Sequence, residues 1–240
     1  MSTYRVALAG NPNTGKSTLF NMLTGLRQHT GNWAGKTVAK AESAYEHNGN
    51  SYLVVDLPGT YSLFSNSEDE EVARDYVILE KPDVTVVVVD ATSLERHMNL
   101  VLQVLEMTTK VVICVNLMDE ARKLGIAVDA LLLSKKLGVP VVKISAMRKE
   151  GLPELIRMIE KVAKGTLMST PVQIRYNEEI ETKISVMVPE ISSLLGDEFP
   201  ARWIALRLLD GDDGILEKLI HRVKKSERRE LNYLERTYCN

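Results

Sequence analysis

The run Gly10-Asn11-Pro12-Asn13-Thr14-Gly15-Lys16-Ser17 fits the pattern Gly-x4-Gly-Lys-Ser. It follows a strand-like stretch at 4–9 and opens a helix-like one at 17–23 that takes in Thr18, and that context turns a short pattern into a mechanism. Backbone N–H groups of such a loop point out from a helix N-terminus, whose dipole favours negative charge, so the loop is expected to cradle nucleotide phosphates. Lys16 is expected to bridge the β- and γ-phosphates, and the Ser17 hydroxyl to ligate Mg2+.

Strand-like runs recur at 6–9, 52–56, 84–90, 111–116 and 139–144. Several are continuously apolar and β-branched, as in strands buried on both faces of a mostly parallel sheet. Helical stretches separate them at 68–79, 98–107, 128–137 and 152–162. The fold class is therefore α/β, a doubly wound sheet with its ligand at the C-terminal strand edge. Asn48-Gly49 between two extended stretches marks a β-hairpin on that sheet. After Gly165 the strand runs vanish. Ile180, Ile184, Met187, Ile191 and Leu194 make one helical stripe, and Pro200 suits a first helical turn before Trp203, Leu206 and Leu209. Ile215, Leu219, Ile220 and Val223 suggest a third helix, and Leu231 and Leu234 a fourth. The expected domains are 1–166 and an all-helical 170–240, joined by a linker.

Two tetrads and a dipeptide at strand ends define the pocket further. Asp56-Leu57-Pro58-Gly59 places an Asp where it can hold Mg2+ through water and the Gly59 N–H where it reaches a γ-phosphate. Asn116-Leu117-Met118-Asp119 presents a carboxylate that can accept from both N1–H and the 2-amino group of guanine; adenine offers neither donor. Ser145-Ala146 follows the next strand, where a backbone N–H can donate to guanine O6. Each pattern is weak alone, but their order along the strand ends reads as a GTPase.

These are the motifs of small-GTPase domains, and within them the sequence resembles one family closely. The loop Gly31-Asn32-Trp33-Ala34-Gly35-Lys36-Thr37, taken with Gly-Asn-Pro-Asn at 10–13 and Asp-Leu-Pro-Gly-Thr-Tyr-Ser-Leu at 56–63, is similar to the cytoplasmic G domain of FeoB, the bacterial ferrous-iron transporter. The helical tail resembles that family's spacer domain by position and pattern. The resemblance implies GTP and GDP as ligands, with Gly35 in the binding loop and Thr37 completing the Mg2+ shell when GTP is bound. It also implies a membrane permease as partner in the same polypeptide, with small accessory proteins of iron uptake, at the cytoplasmic face of the cell membrane.

Departures from the small-GTPase pattern bear on rate. Ras-type enzymes place a water-orienting Gln after the Gly of Asp-x-x-Gly; here Thr60 and Tyr61 follow. The Lys of Asn-Lys-x-Asp is Leu117, and Pro12 stiffens the loop. No arginine is evidently placed as a cis finger; Arg27 lies nearest the loop. Slow intrinsic hydrolysis is expected. P-loop GTPases with Asn at the position of Asn13 often use a monovalent cation, and the family resemblance implies K+ held by the Asn13 side chain and by the carbonyls of Gly31 and Trp33. Asn13, Lys16, Thr37 and Gly59 are the expected catalytic set.

Other features read more plainly. The net charge of −2, from 30 Lys+Arg against 32 Asp+Glu, gives no global field to recruit nucleic acid. A ribosome-assembly GTPase of the Era type, the competing reading, would want a basic RNA-reading appendage that the tail lacks. His29, His47, His97 and His221 are scattered without metal-ligand spacing, so no iron site is expected in this chain. Glu68-Asp-Glu-Glu71 reads as a solvated first helical turn, with signalling to a partner as the alternative; the basic stretch 222–229 reads as a solvated helix face, with a surface for anionic lipid headgroups as the alternative; Cys114 and Cys239 read as reduced thiols. No apolar run reaches the roughly 20 residues of a membrane helix, and the N-terminus lacks a signal peptide.

Overall fold

The computed structural model describes residues 1–25, 29–34, 36–64, 67–196, 198–212, 215 and 218–219. Its first compact unit, Met1–Gln173, is built on a seven-stranded sheet. The strands are β1 (Thr3–Gly10), β2 (His29–Asn32), β3 (Ala39–His47), β4 (Asn50–Asp56), β5 (Val84–Asp90), β6 (Val111–Asn116) and β7 (Val141–Lys143), in the order β2-β3-β4-β1-β5-β6-β7. From β4 to β7 neighbours run parallel; β3 is antiparallel to β4, and β2 to β3.

The parallel strands are β-branched and covered on both faces, as their sequence requires: Val84 and Val86 to Val89 are all fully buried. Each such valine stabilises the fold by about 1.5–3 kcal/mol relative to exposure. Helices α1 (Lys16–Thr24), α2 (Glu68–Asp75), α3 (Leu94–Met107), α4 (Met118–Lys123), α5 (Ala130–Leu137) and α6 (Leu152–Ala163) complete the unit. Strand register is what positions the site. Leu8 pairs with Asp56, Gly10 with Val88 and Asp90 with Asn116, which brings the C-terminal ends of four strands to one edge.

The Asn48-Gly49 turn has φ of 48° and 73°, two left-handed residues as a tight hairpin of this hand requires. Its tip is held from α6: Asn48 Nδ2 donates to Glu160 Oε2 at 2.9 Å, and Lys164 pairs with the same carboxylate at 2.5 Å. Beneath it Tyr4, Tyr52 and Tyr45 stack with centroids 5.4 and 5.1 Å apart, and burial pushes the Tyr52 hydroxyl up to about 12.

Some elements depart from the sequence reading. The helix expected at 68–79 is α-helical to Asp75, then widens into a π-turn, Tyr76–Glu80, which turns three successive residues, Tyr76, Val77 and Ile78, inward. Residues 29–32 form a strand that no apolar alternation announces. The stretch read as a linker hydrogen-bonds into the first unit instead: Thr170 N–H donates to Gly138 and Val172 N–H to Leu137.

The second unit begins at Ile174 and contains α7 (Glu178–Leu195) and α8 (Ala201–Leu209). The expected stripe lies one residue off at its end: Ile184, Ile191 and Leu195 are buried, whereas Leu194 is 54% exposed. Pro200 is the N-cap of α8. Arg202 grips both oxygens of Glu181 at 2.8 Å and donates to the Ile174 carbonyl at 2.8 Å. Ile215 and Leu219 are buried; the expected fourth helix, the 222–229 stretch, His221 and Cys239 lie outside the described residues. Among the described residues no helix is long and apolar enough to cross a membrane.

Candidate functional site

The loop from Gly10 to Ser17 turns from the end of β1 into α1. Asn13 (φ 65°) and Gly15 (φ 80°) take left-handed conformations, which Asn tolerates and Gly favours. A Cβ on Gly15 would lie 2.3 Å from Asn116 Nδ2, and one on Gly10 2.5 Å from the Val88 carbonyl oxygen, so close approach demands glycine at both. Thr14 is buried, its hydroxyl donating to the Asn11 carbonyl at 3.0 Å. Asn11 is itself 1% exposed, and its side-chain amide has no hydrogen-bond partner among the described residues. Asn11, Pro12, Asn13, Gly15, Lys16, Ser17, Thr18 and Gly59 line a cavity of about 500 Å3.

Lys16 and Ser17 both meet Asp56. The Lys16 ammonium pairs with one carboxylate oxygen and donates to the Leu57 carbonyl at 2.5 Å, while Ser17 Oγ donates to the other oxygen at 3.0 Å. The hydroxyl and carboxylate together form a hard-oxygen donor set that fits Mg2+. Gly59 passes directly over Pro12: a Cβ there would be 3.3 Å from the Pro12 backbone, and the Thr60 N–H donates to the Gly10 carbonyl at 3.3 Å.

β6 and the loop after β7 adjoin the phosphate loop through Asn116. Asn116 is fully buried; its Nδ2 donates to the Thr14 carbonyl at 2.9 Å and its Oδ1 accepts the Ala146 N–H at 3.0 Å. The Ala146 N–H, a candidate donor to a base, is thus engaged with Asn116. Leu117 is left-handed (φ 61°) and caps α4, which presents Asp119. Ser145 Oγ donates to Asp119 at 2.8 Å, and this bond, helped by Arg148 3.9 Å away, holds the Asp119 carboxyl below the usual carboxylate range. Ser145 was expected to contribute backbone; its role in fixing Asp119 is the part that the motif alone does not reveal.

The residues between α1 and β3 stand elsewhere. Gly31 lies in β2, paired with Lys40 of β3, and the Trp33 carbonyl accepts the Lys36 N–H at 3.0 Å. The Trp33 ring packs edge-on against Tyr76 at 5.4 Å. Thr37 donates to Glu68 Oε2 at 2.6 Å instead of joining Ser17 and Asp56. Gly35 and Arg27 lie outside the described residues. Asn13 is exposed, and it does not cap α1, whose N-cap is Gly15 with no side-chain bond. Among the described residues no group of three or more His, Cys, Asp or Glu side chains is gathered as a metal site. Cys114 is buried in β6, where desolvation raises its thiol well above the ordinary range.

Comparison with known proteins gives this geometry a context. A family model described as "Ferrous iron transport protein B" matches residues 4–159, and one described as "FeoB cytosolic helical domain" matches residues 176–238. The Fe(2+) transporter FeoB of Methanocaldococcus jannaschii is 59% identical over 107 residues, 45% of this chain and 16% of that protein. A Porphyromonas gingivalis Fe(2+) transport protein A/Fe(2+) transporter FeoB fusion protein is 40% identical over 212 residues, 87% of this chain and 25% of that protein. The chain thus spans a quarter or less of the length of these relatives. The cytosolic domain of the T. maritima FeoB iron transporter in a GDP form has TM-score 0.81 at 37% identity, with 92% of this chain and 85% of that chain covered.

Proposed function

Given that the chain belongs to the ferrous iron transport protein B family, we propose that it binds GTP and GDP with Mg2+ and hydrolyses GTP slowly with help from K+. The observation that carries this reading is Asn116, which joins the phosphate loop to the loop that holds Asp119 and so makes one pocket of two motifs. Lys16 would leave Asp56 for the β- and γ-phosphates, Ser17 and Asp56 would hold Mg2+, and Thr37 would join them in the triphosphate state. Asp119, kept ionised by Ser145, accepts from guanine. The Gly59 N–H, over the loop at Pro12, donates to the γ-phosphate. A monovalent cation held there would supply positive charge to offset the negative charge that grows in the transition state. Asn13, exposed and left-handed, is the ligand that the phosphate loop offers it. Gly31, in β2, and Trp33, just after it, would be its carbonyl ligands.

The family supports a further reading at the level of the whole protein: nucleotide state at this unit, residues 1–166, acts through the helical unit, 170–240, on a membrane permease that moves Fe2+. The fused protein A of the P. gingivalis relative supports a small accessory protein as a cytoplasmic partner. Steady-state phosphate release in KCl and NaCl at matched ionic strength tests the chemistry. Intrinsic turnover on the order of 10⁻³ s⁻¹ is expected, with K+ raising kcat. Asn13→Ala should erase the difference between the salts while sparing GDP affinity. Equal rates for the unaltered chain in both salts would refute the cation role.

A further inference from the structure

The acidic first turn of α2 grips the two loops expected to move. Glu70 accepts Ser62 Oγ at 2.8 Å, Glu68 accepts Thr37 Oγ1 at 2.6 Å, and Glu71 pairs with Lys36 Nζ at 2.5 Å. On the same side Trp33 packs against Tyr76, directly after α2, and Lys40 Nζ lies 5.4 Å from the Trp33 ring centre. Two adjacent residues of one loop thus meet two carboxylates a helical turn apart on α2.

The geometry points to Glu68 and Glu71 as positioning residues that hold Thr37 away from the metal site, a latch that triphosphate binding must open. This rests on the reading that Thr37 turns to Mg2+ in the GTP state. The Thr37 hydroxyl donates its single proton to Glu68, and Lys36, its neighbour, is fixed by Glu71. Neither carboxylate belongs to the phosphate loop, and Ser17 and Asp56, which mark the metal position, meet each other without Thr37. The hydroxyl therefore has two alternative homes. A diphosphate does not ask for Thr37, so the latch opposes GTP and is indifferent to GDP. Linkage makes the effect reciprocal: whatever frees Glu68 and Glu71 tightens triphosphate binding, and triphosphate binding frees the first turn of α2. The latch thereby ties one moving loop to the other through two side-chain contacts.

The test is the Glu68→Gln/Glu71→Gln double variant in the full chain, with Asp69→Asn as the control that lowers charge in the same helical turn. Two readouts serve: acrylamide quenching of Trp33 fluorescence without nucleotide, against the constant background of buried Trp203, and titration with Mg2+ plus GDP or a non-hydrolysable GTP analogue. The double variant should show greater Trp33 quenching and bind the analogue about fivefold more tightly with GDP affinity unchanged, the size expected for one exposed and one partly buried charge-assisted contact. Asp69→Asn should move neither. Parental quenching together with a parental ratio of the two affinities would overturn the latch. Failure of the unaltered chain to bind the analogue would instead overturn the nucleotide reading, and the quenching comparison would still decide the latch.

Discussion

Asn116 donates to the carbonyl oxygen of Thr14 at 2.9 Å across 102 residues of sequence, and its own Oδ1 accepts the Ala146 N–H. One buried amide therefore holds the phosphate loop and the base loop in fixed relation. Asn116→Ala would leave a buried carbonyl and a buried N–H unpaired, at about 1–3 kcal/mol each. We expect a fall of about 2–4 kcal/mol in stability by urea titration, and equal losses of GDP and GTP affinity. Loss of affinity for one nucleotide alone would contradict the bridging role.

Gly15 meets the same amide from the other side. Gly15→Ala combines a left-handed backbone with a Cβ 2.3 Å from Asn116 Nδ2. The strain of about 1–2 kcal/mol from φ alone, added to that clash, should abolish measurable nucleotide binding. Isothermal titration with GDP checks it; retained affinity would mean that the loop relaxes without Asn116.

Asp119→Asn replaces an acceptor that reads two donors of guanine, and should weaken GDP by about 2–4 kcal/mol. Ser145→Ala gives a subtler effect. The Ser145 hydroxyl is the largest influence holding Asp119 below the ordinary carboxylate range, so removing it raises the Asp119 pKa. GDP affinity of Ser145→Ala should then begin to fall at a higher pH than that of the parent as solutions are acidified. Superimposable pH profiles would remove Ser145 from this role.

In the helical unit, Arg202 foremost, and then the Tyr176 N–H, hold Glu181 at about 2, down from its ordinary 4.5. A depressed carboxylate contributes stability that is fully present above the ordinary value and lost as pH falls through the folded one. Glu181→Gln should therefore flatten the acid limb between pH 4.5 and about 2, followed by Trp203 fluorescence. An unchanged acid limb would show that the ion pair is not coupled to folding.

Much of the site was legible because its parts lie where strands end. Asp56, Asn116 and Ser145 each follow an apolar β-branched run, and parallel register alone brings such ends to one edge. What stayed hidden is long-range or atypical in pattern. Nothing in His29-Thr30-Gly31-Asn32 alternates, so β2 owes its existence to β3 and not to propensity. The acidic run at 68–71 was visible, but whether carboxylates face water or another loop depends on the pairing of Glu68 with Thr37, 31 residues away. The π-turn at 76–80 and the passage of α7 through Pro189 likewise reflect tertiary packing overriding local preference.

The hairpin between β3 and β4 has its tip fastened by side chains. Asn48, His47 and Glu160 hold its tip at the pole of the sheet opposite the phosphate loop, while Ala39 and Asn32 close the other end with a short loop. Fraying of β3 then has a direction. Its backbone amides, paired with β2 at one end and with β4 along their length, are expected to act as a ruler: if β2 peels away on nucleotide binding, exchange against solvent deuterium should quicken first at Ala39 to Glu42 and last near Tyr45.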